Sequence, residues 1–258
     1  VAAVGNAIVD VLAPAQDAFL QAHKLEKGMM TLISRSQSDA LYNVMGATKQ
    51  QSGGSAANTI AGIASLGGKC AYIGKIANDD MGHVFRHDMQ AMGVDFRTEA
   101  GDAEKWATAR CMILVTEDAE RTMATYLGIS TELEPDDIEP AKIRNAKVTY
   151  LEGYLFDKPL AKEAFNAAAI MAHTAGKSVA LTLSDPFCVD RHREDFKTLV
   201  SGHVDILFCN EQELLNLYET TDFDAALARV AEHTEVCAVT RGAKGAKVVF
   251  HGTQFDIP

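Results

Sequence analysis

From residue 148 onward the sequence alternates between two periods. Runs rich in apolar and β-branched residues at 148–152, 178–183, 204–209, 236–240 and 246–250 are separated by helix-like segments. Those segments fall at 159–175, 191–200, 211–218 and 223–233, and Gly176 supplies a stop for the first of them. Strands this short and apolar need cover on both faces, and the intervening helices are long enough to cross over a sheet. The pattern predicts an α/β fold: a doubly wound, largely parallel sheet with helices on both faces.

The first half departs from that rhythm. A strand is expected within 1–11, a helix of small residues at 55–66 and a strand at 70–76. An amphipathic helix is expected at 80–92, with Met81, Val84, Phe85, Met89 and Met92 on its core side. The runs 108–115 and 121–127 flank a polar turn and read as a hairpin, and 28–34 is another β-like run. Strands joined by such short links cannot enter a parallel sheet, so they predict a small β lid. The organisation expected is one domain over 1–258 with lid segments at approximately 11–52 and 107–128.

Charge narrows the partners. Lys and Arg total 24 against 35 Asp and Glu, a net charge of −11. An acidic chain argues against nucleic acid or an anionic membrane, while a few local donors still suffice for an anionic small molecule. The longest uncharged stretch, 50–68, is filled with Gly, Ser, Asn and Gln and is no membrane span. No signal peptide opens the chain. Five cysteines, at 70, 111, 188, 209 and 237, form no CxxC and read as reduced core residues of a cytoplasmic protein.

In an open α/β sheet, ligands bind beyond the carboxyl ends of the strands. That edge collects 6–10, 153–154, 184–185, 210–213 and 240–242. Asp10, after an apolar run, is either a solvated strand end or a carboxylate that accepts two hydrogen bonds from a sugar diol. Gly53 and Gly54 open the small-residue helix that carries Asn58. They are either a plain turn or a close-approach loop at a helix N-terminus. Asn210 and Glu213 suit a capping box or a Mg²⁺ and water site. The run from Thr240 through Gly242 is a hairpin turn or a nucleotide contact. Arg121, after the lid turn, is solvated or folds over a phosphate. His83 and His87 stand one helical turn apart without a third ligand. Neither a Walker A loop nor GxGxxG nor GxSxG occurs, which disfavours a dinucleotide enzyme or a serine hydrolase.

Together these residues resemble the PfkB carbohydrate kinase family, the ribokinase and adenosine kinase group. GGSAANTIAGIASLGGKCAYIGKIANDDMG, from Gly53 to Gly82, is similar to the family's first signature. NEQE at 210–213 is similar to its NxxE motif, and TRGAKG at 240–245 to its TxGxxG run. GNAIVDV at 5–11, the hairpin with Arg121 and LEGYLF at 151–156 look like the adenosine kinase branch. The resemblance runs in order along the whole chain.

It implies a ribokinase-like fold, ATP as co-substrate, Mg²⁺, and phosphoryl transfer to the 5′-hydroxyl of a ribonucleoside, adenosine first. It implies that Asn6 and Asp10 hold ribose hydroxyls while Gly53, Gly54 and Asn58 close round the sugar. By the same resemblance, Tyr154 packs near the base and Arg121 stabilises the transferring charge. Asn210 and Glu213 organise Mg²⁺ through water, and Thr240 and Gly242 touch ATP. A ribokinase- or fructokinase-like sugar kinase and a non-catalytic nucleoside-binding fragment are the alternatives. The protein is expected as a monomer or homodimer with a small-molecule nucleoside or sugar substrate. The family's second signature, DTxGAGD, carries its anion hole and catalytic Asp; it is expected beyond Pro258, so the chain reads as lacking its C-terminal part. Asp185 sits on the appropriate edge, but the family does not use that position as a base.

Overall fold

The computed structural model describes residues 1–258, apart from the side chain of Asp157. In chain order the strands are β1 (Ala2–Val4), β2 (Ile8–Pro14), β3 (Met30–Leu32), β4 (Lys49–Gly53), β5 (Ala71–Ile73), β6 (Ala109–Val115) and β7 (Arg121–Tyr126). They continue as β8 (Val148–Glu152), β9 (Ser178–Thr182), β10 (Ile206–Asn210), β11 (Val236–Thr240), β12 (Ala246–Phe250) and β13 (Thr253–Ile257). The helices are α1 (Asp17–Ala22), α2 (Arg35–Val44), α3 (Ser55–Ser65), α4 (Asp80–Ala91), α5 (Pro140–Asn145), α6 (Pro159–Thr174), α7 (Pro186–His203), α8 (Glu211–Tyr218) and α9 (Phe223–Ala231). The chain divides into two compact units, one of residues 1–5, 70–73 and 133–258, the other of 6–69 and 74–132.

The first unit holds the large sheet, in the order β13-β12-β11-β10-β9-β8-β1-β5. Strands β5, β1 and β8 to β11 are mutually parallel; β12 runs against them, and β13 pairs antiparallel with β12. The expected α/β architecture is present. One face carries Val4, Leu151, Leu181, Leu207 and Val239 into a core shared with the buried faces of α5 to α9. Ala161, Ala164, Ala168, Ala169 and Ala172 of α6 are fully buried, so that helix lies close against the sheet. Phe156 stacks on Phe196 with ring centroids 4.4 Å apart and closes the core above β8. On the opposite face burial fades from Tyr72 and Tyr150 to Phe208 (42% exposed) and Phe255 (46%).

The run 1–11 holds the expected strand character in two pieces: β1 is buried on both sides, then the chain leaves this sheet at Gly5 and re-forms as β2 in the other unit. One boundary needs correction in this unit. Helix α7 begins at Pro186 rather than 191. Asp185 caps it by accepting the Cys188 N–H at 2.7 Å, and Pro186 is preset for the first turn. Non-helical angles at His192 kink it there, so only the part after the kink showed clean periodicity.

The second unit is built on a five-stranded sheet, β3-β7-β6-β2-β4. Strands β6 and β7 form the expected hairpin, and β2 pairs in parallel with β6 and antiparallel with β4. This unit is wider than the lid segments expected at 11–52 and 107–128, because it also contains α3 and α4. Helix α4 buries Phe85 and Met89 but leaves Met92 at its end exposed. Strand β4, Lys-Gln-Gln-Ser-Gly, has no apolar alternation and exists through its pairing with β2. Helix α2 is started by a capping box between Ser34 and Gln37. All five cysteines are free and buried. Among the described residues, no helix is long and apolar enough to cross a membrane.

Asp79 ties α4 to the start of β6. Its carboxylate accepts the N–H of Gly82 (2.8 Å), the N–H of Thr108 (2.8 Å) and the Thr108 hydroxyl (2.6 Å). Gly82 is required there, since a Cβ would lie 2.0 Å from the carbonyl oxygen of Ala77. Asp79→Ala removes a helix cap and orphans two N–H groups. It is expected to cost about 2–3 kcal/mol in chemical denaturation; a loss under about 0.5 kcal/mol would show that the tie carries no weight.

Candidate functional site

Asp10 lies in the middle of β2, not at a strand end as expected. Across the sheet it pairs with Gln51 of β4 and Cys111 of β6, and Cys111 pairs in turn with Thr125 of β7. The next row on the same face is Lys49, Leu12, Ile113, Met123 and Met30. Asp10 is therefore a carboxylate flanked by uncharged neighbours, with Lys49 the one charged residue of the adjoining row. Burial pushes its pKa up to about 6. Burial also lifts the Cys111 thiol to about 11, so its neighbour stays neutral.

The paired glycines serve this carboxylate. A Cβ on Gly53 would lie 2.2–2.4 Å from the carboxylate atoms of Asp10. Gly54 has φ +93°, and a Cβ there would lie 2.6 Å from the carbonyl oxygen of Asn6. Close approach was expected from these glycines toward a ligand; the structure shows it toward Asp10 and Asn6. Gly54 caps α3 with no side-chain bond, and Ala56, Ala57 and Ile60 turn into the core. Asn58 is exposed on the first turn of α3, and Asn6 is buried. Arg121 is not brought beside Asp10. It starts β7 in the row of Val115, four residues from Thr125, roughly 14 Å along the strand. It is exposed and, among the described residues, has no hydrogen bond or ion pair.

In the first unit the carboxyl ends of β8 to β11 do share one edge, as register across Glu152–Thr182 and Asn210–Thr240 requires. Tyr154, just past β8, donates its N–H to the Ser184 hydroxyl (3.2 Å) and its own hydroxyl to the Ser184 carbonyl (3.3 Å). Ser184 holds φ +77°, a left-handed angle uncommon outside glycine and a strain typical of functional edges. Burial first, then the nearby Asp185 carboxylate, keeps the Tyr154 phenol protonated far above its ordinary range. The strain at Ser184 had no sequence signal, since nothing in Leu-Ser-Asp-Pro announces a positive φ.

The capping box at Asn210 and Glu213 is complete. Asn210 Oδ1 accepts the Glu213 N–H (2.8 Å), while the Glu213 carboxylate accepts the Asn210 N–H (3.0 Å) and Nδ2 (2.7 Å). Burial, and secondarily the charge of Asp185, raises the pKa of Glu213. Two neighbouring carboxylates at one edge, one of them desolvated, are a donor set that fits a hydrated Mg²⁺, which takes one or two carboxylates and keeps its waters. Thr240, exposed, ends β11, and the run to Gly245 is a turn joining antiparallel strands, closed by Arg241 N–H to the Gly245 carbonyl at 2.8 Å. Gly242 has φ +58° with open space around its missing side chain. Arg241 is taken up by Glu211 at 2.9 Å and by the Phe223 ring at 3.9 Å.

Two outcomes are expected. Gly53→Ala should displace Asp10 and cost about 1–3 kcal/mol by overpacking, whereas Gly62→Ala, with nothing within 4 Å, should be neutral or stabilising in chemical denaturation. Equal effects at both positions would refute the contact. The pH dependence follows from the raised pKa of Asp10. Its contribution to folding is fully present below its unfolded value of 3.8 and is lost as pH rises through about 6. Acceptance of hydroxyl protons needs the carboxylate and so fails in the opposite direction, as pH falls through about 6. Denaturation and ligand titrations between these limits should diverge in this way, and Asp10→Asn should abolish both trends.

Comparison with known proteins fits this architecture. The pfkB family carbohydrate kinase description matches residues 26–258. An ATP-dependent ribose-1-phosphate kinase from Halopiger xanaduensis is 30% identical over 210 residues, 78% of this chain. The chain spans 62% of that relative's own length. The crystal structure of adenosine kinase from Sinorhizobium meliloti superposes with a TM-score of 0.90 at 48% identity, over 99% of this chain and 78% of that one. A probable sugar kinase from Rhizobium etli matches with a TM-score of 0.90 at 47% identity, over 99% of this chain and 77% of that one. The signature glycines packed against Asp10, the NxxE box on the edge of a parallel sheet and the match over 26–258 agree: the chain belongs to the pfkB carbohydrate kinase family.

Proposed function

We propose that this protein transfers a phosphoryl group from ATP to the 5′-hydroxyl of a ribonucleoside, with adenosine as the leading substrate. The observation that carries the reading is the face of the second unit's sheet around Asp10. One carboxylate for a ribose diol adjoins Leu12, Ile113, Met123 and Met30, an apolar row suited to a heterocyclic base. A free sugar has no apolar part to match that row. The adenosine kinase of Sinorhizobium meliloti, at 48% identity, supports the same substrate class.

In this reading Asn6, Gly53, Gly54 and Asn58 belong with Asp10 to the sugar site. Tyr154, Asn210, Thr240 and Gly242 belong to the first unit, where the family resemblance gives Tyr154 a place near a base and the other three the nucleotide side. Arg121 supplies a cation for the transferring group. Catalysis rests on positioning and charge stabilisation. Asn210 and Glu213 would hold Mg²⁺ through water, and the ion when bound would offset charge on the ATP phosphates. Five reduced, buried cysteines suit a reducing compartment such as the cytoplasm.

A second reading, a kinase of ribose 1-phosphate, draws on Lys49. It pairs with Leu12 across β2 and β4, on the face that carries Asp10. A cation there suits a phosphate on C1, and the Halopiger xanaduensis relative bears that substrate in its name.

Calorimetry with adenosine, ribose 1-phosphate, ribose and fructose separates these readings. Adenosine is expected to bind at least about tenfold tighter than the others, a gap of about 1.4 kcal/mol. Tighter binding of ribose 1-phosphate that Lys49→Met abolishes would install the second reading. For the metal, Glu213→Gln in the full-length enzyme should raise the Mg²⁺ needed for turnover and leave nucleoside affinity nearly intact. A fall in Tm alone would reduce Glu213 to its capping role.

A further inference from the structure

Strand β4 carries three consecutive uncharged polar residues, Gln50, Gln51 and Ser52, where a half-buried strand ordinarily alternates. Two of them have structural partners. Gln50 donates through Nε2 to the Tyr42 hydroxyl at 2.7 Å, and the Ser52 N–H donates to Asp88 of α4 at 2.8 Å. Gln51 differs. It is half-buried, and among the described residues its carboxamide makes no hydrogen bond. Register sets it directly opposite Asp10, with the two Cβ atoms on one face about 4.5–5.5 Å apart. On the other flank of Asp10, Cys111 is engaged, because Thr125 donates its hydroxyl to the sulfur at 3.3 Å.

The chemistry of the pair is complementary. A carboxylate only accepts hydrogen bonds, so two vicinal hydroxyls donate to Asp10 and keep their oxygen lone pairs free. A carboxamide NH₂ alongside is the donor those lone pairs need. A half-buried amide without a protein partner is also one whose hydrogen bonds a ligand can complete. We propose that Gln51 is a specificity-determining residue of this site. Its Nε2 donates to the ribose hydroxyl nearer β4, so that this hydroxyl gives its proton to Asp10 and accepts one from Gln51. The inference rests on reading Asp10 as the diol acceptor and adds which hydroxyl is read, and by what. It predicts rejection of the matching deoxy analogue, because removing that hydroxyl leaves both side chains unpaired.

The test is calorimetry on the full-length protein with adenosine, 2′-deoxyadenosine and 3′-deoxyadenosine. Wild type should favour adenosine over one deoxy analogue by about tenfold or more. Gln51→Leu should weaken adenosine about tenfold and bind that analogue near the wild-type level, so that the two ligands fall within about twofold. Retained binding of the deoxy analogue shows the variant is folded. Gln51→Glu, which cannot donate and adds charge beside Asp10, should weaken adenosine further. Unchanged affinity and unchanged discrimination in Gln51→Leu overturn the proposal. If wild type binds ribose but no nucleoside, the nucleoside reading fails, and the same comparison of ribose with 2-deoxyribose decides Gln51. If Asp10→Asn leaves every affinity intact, the diol reading fails and the role of Gln51 falls with it.

Discussion

The Asp10 carboxylate occupies the space where any side chain on residue 53 would have to be. That single steric condition organises the second unit. It lets β4 lie against β2 despite a sequence with no strand character of its own. It fixes where β4 ends, and the next residue, Gly54, turns with a positive φ over the carbonyl of Asn6. The turn starts α3, whose alanines then bury against the sheet. Asp10 is half-desolvated as a result, which is why its proton affinity is raised.

The first unit solves a different problem. Parallel strands cannot be joined by hairpins, so each crossover helix returns the chain to the same end of the sheet. The carboxyl ends of β8 to β11 then collect Tyr154, Ser184, Asp185, Asn210 and Thr240 from four separate stretches of sequence. Polar groups at that edge satisfy one another: Tyr154 with Ser184, Asn210 with Glu213, Arg241 with Glu211. Such mutual bonding holds the side chains in place before a ligand arrives, which limits the ordering entropy that binding must overcome. Capping does not exhaust Glu213, since a carboxylate that accepts two hydrogen bonds from Asn210 still has lone pairs for water.

Much of this was legible in the linear chain. The strand and helix runs of 148–250 have strong, distinct periods, and burial on both faces leaves them little choice. The helix at 55–66, the hairpin around Arg121 and the five buried cysteines followed from equally local signals. The signature residues from Gly53 to Gly82 announced the family because their spacing encodes backbone geometry: glycines where a Cβ collides, and Asp79 where a helix must be capped.

What the sequence alone determined was which segments are strands and helices and which residue types could carry chemistry. Tertiary pairing decided the rest. The break between β1 and β2 depends on two sheets competing for one apolar run, and periodicity cannot see that competition. Strand β4 exists only because β2 supplies its hydrogen bonds, and that pairing puts Gln51 beside Asp10. Arg121 and Asp10 share a face yet stand two rows apart, a distance set by register rather than by sequence. Ser184 takes its positive φ where it meets Tyr154, thirty residues away. Each of these depends on long-range contacts, whose reward comes only once the chain has closed on itself.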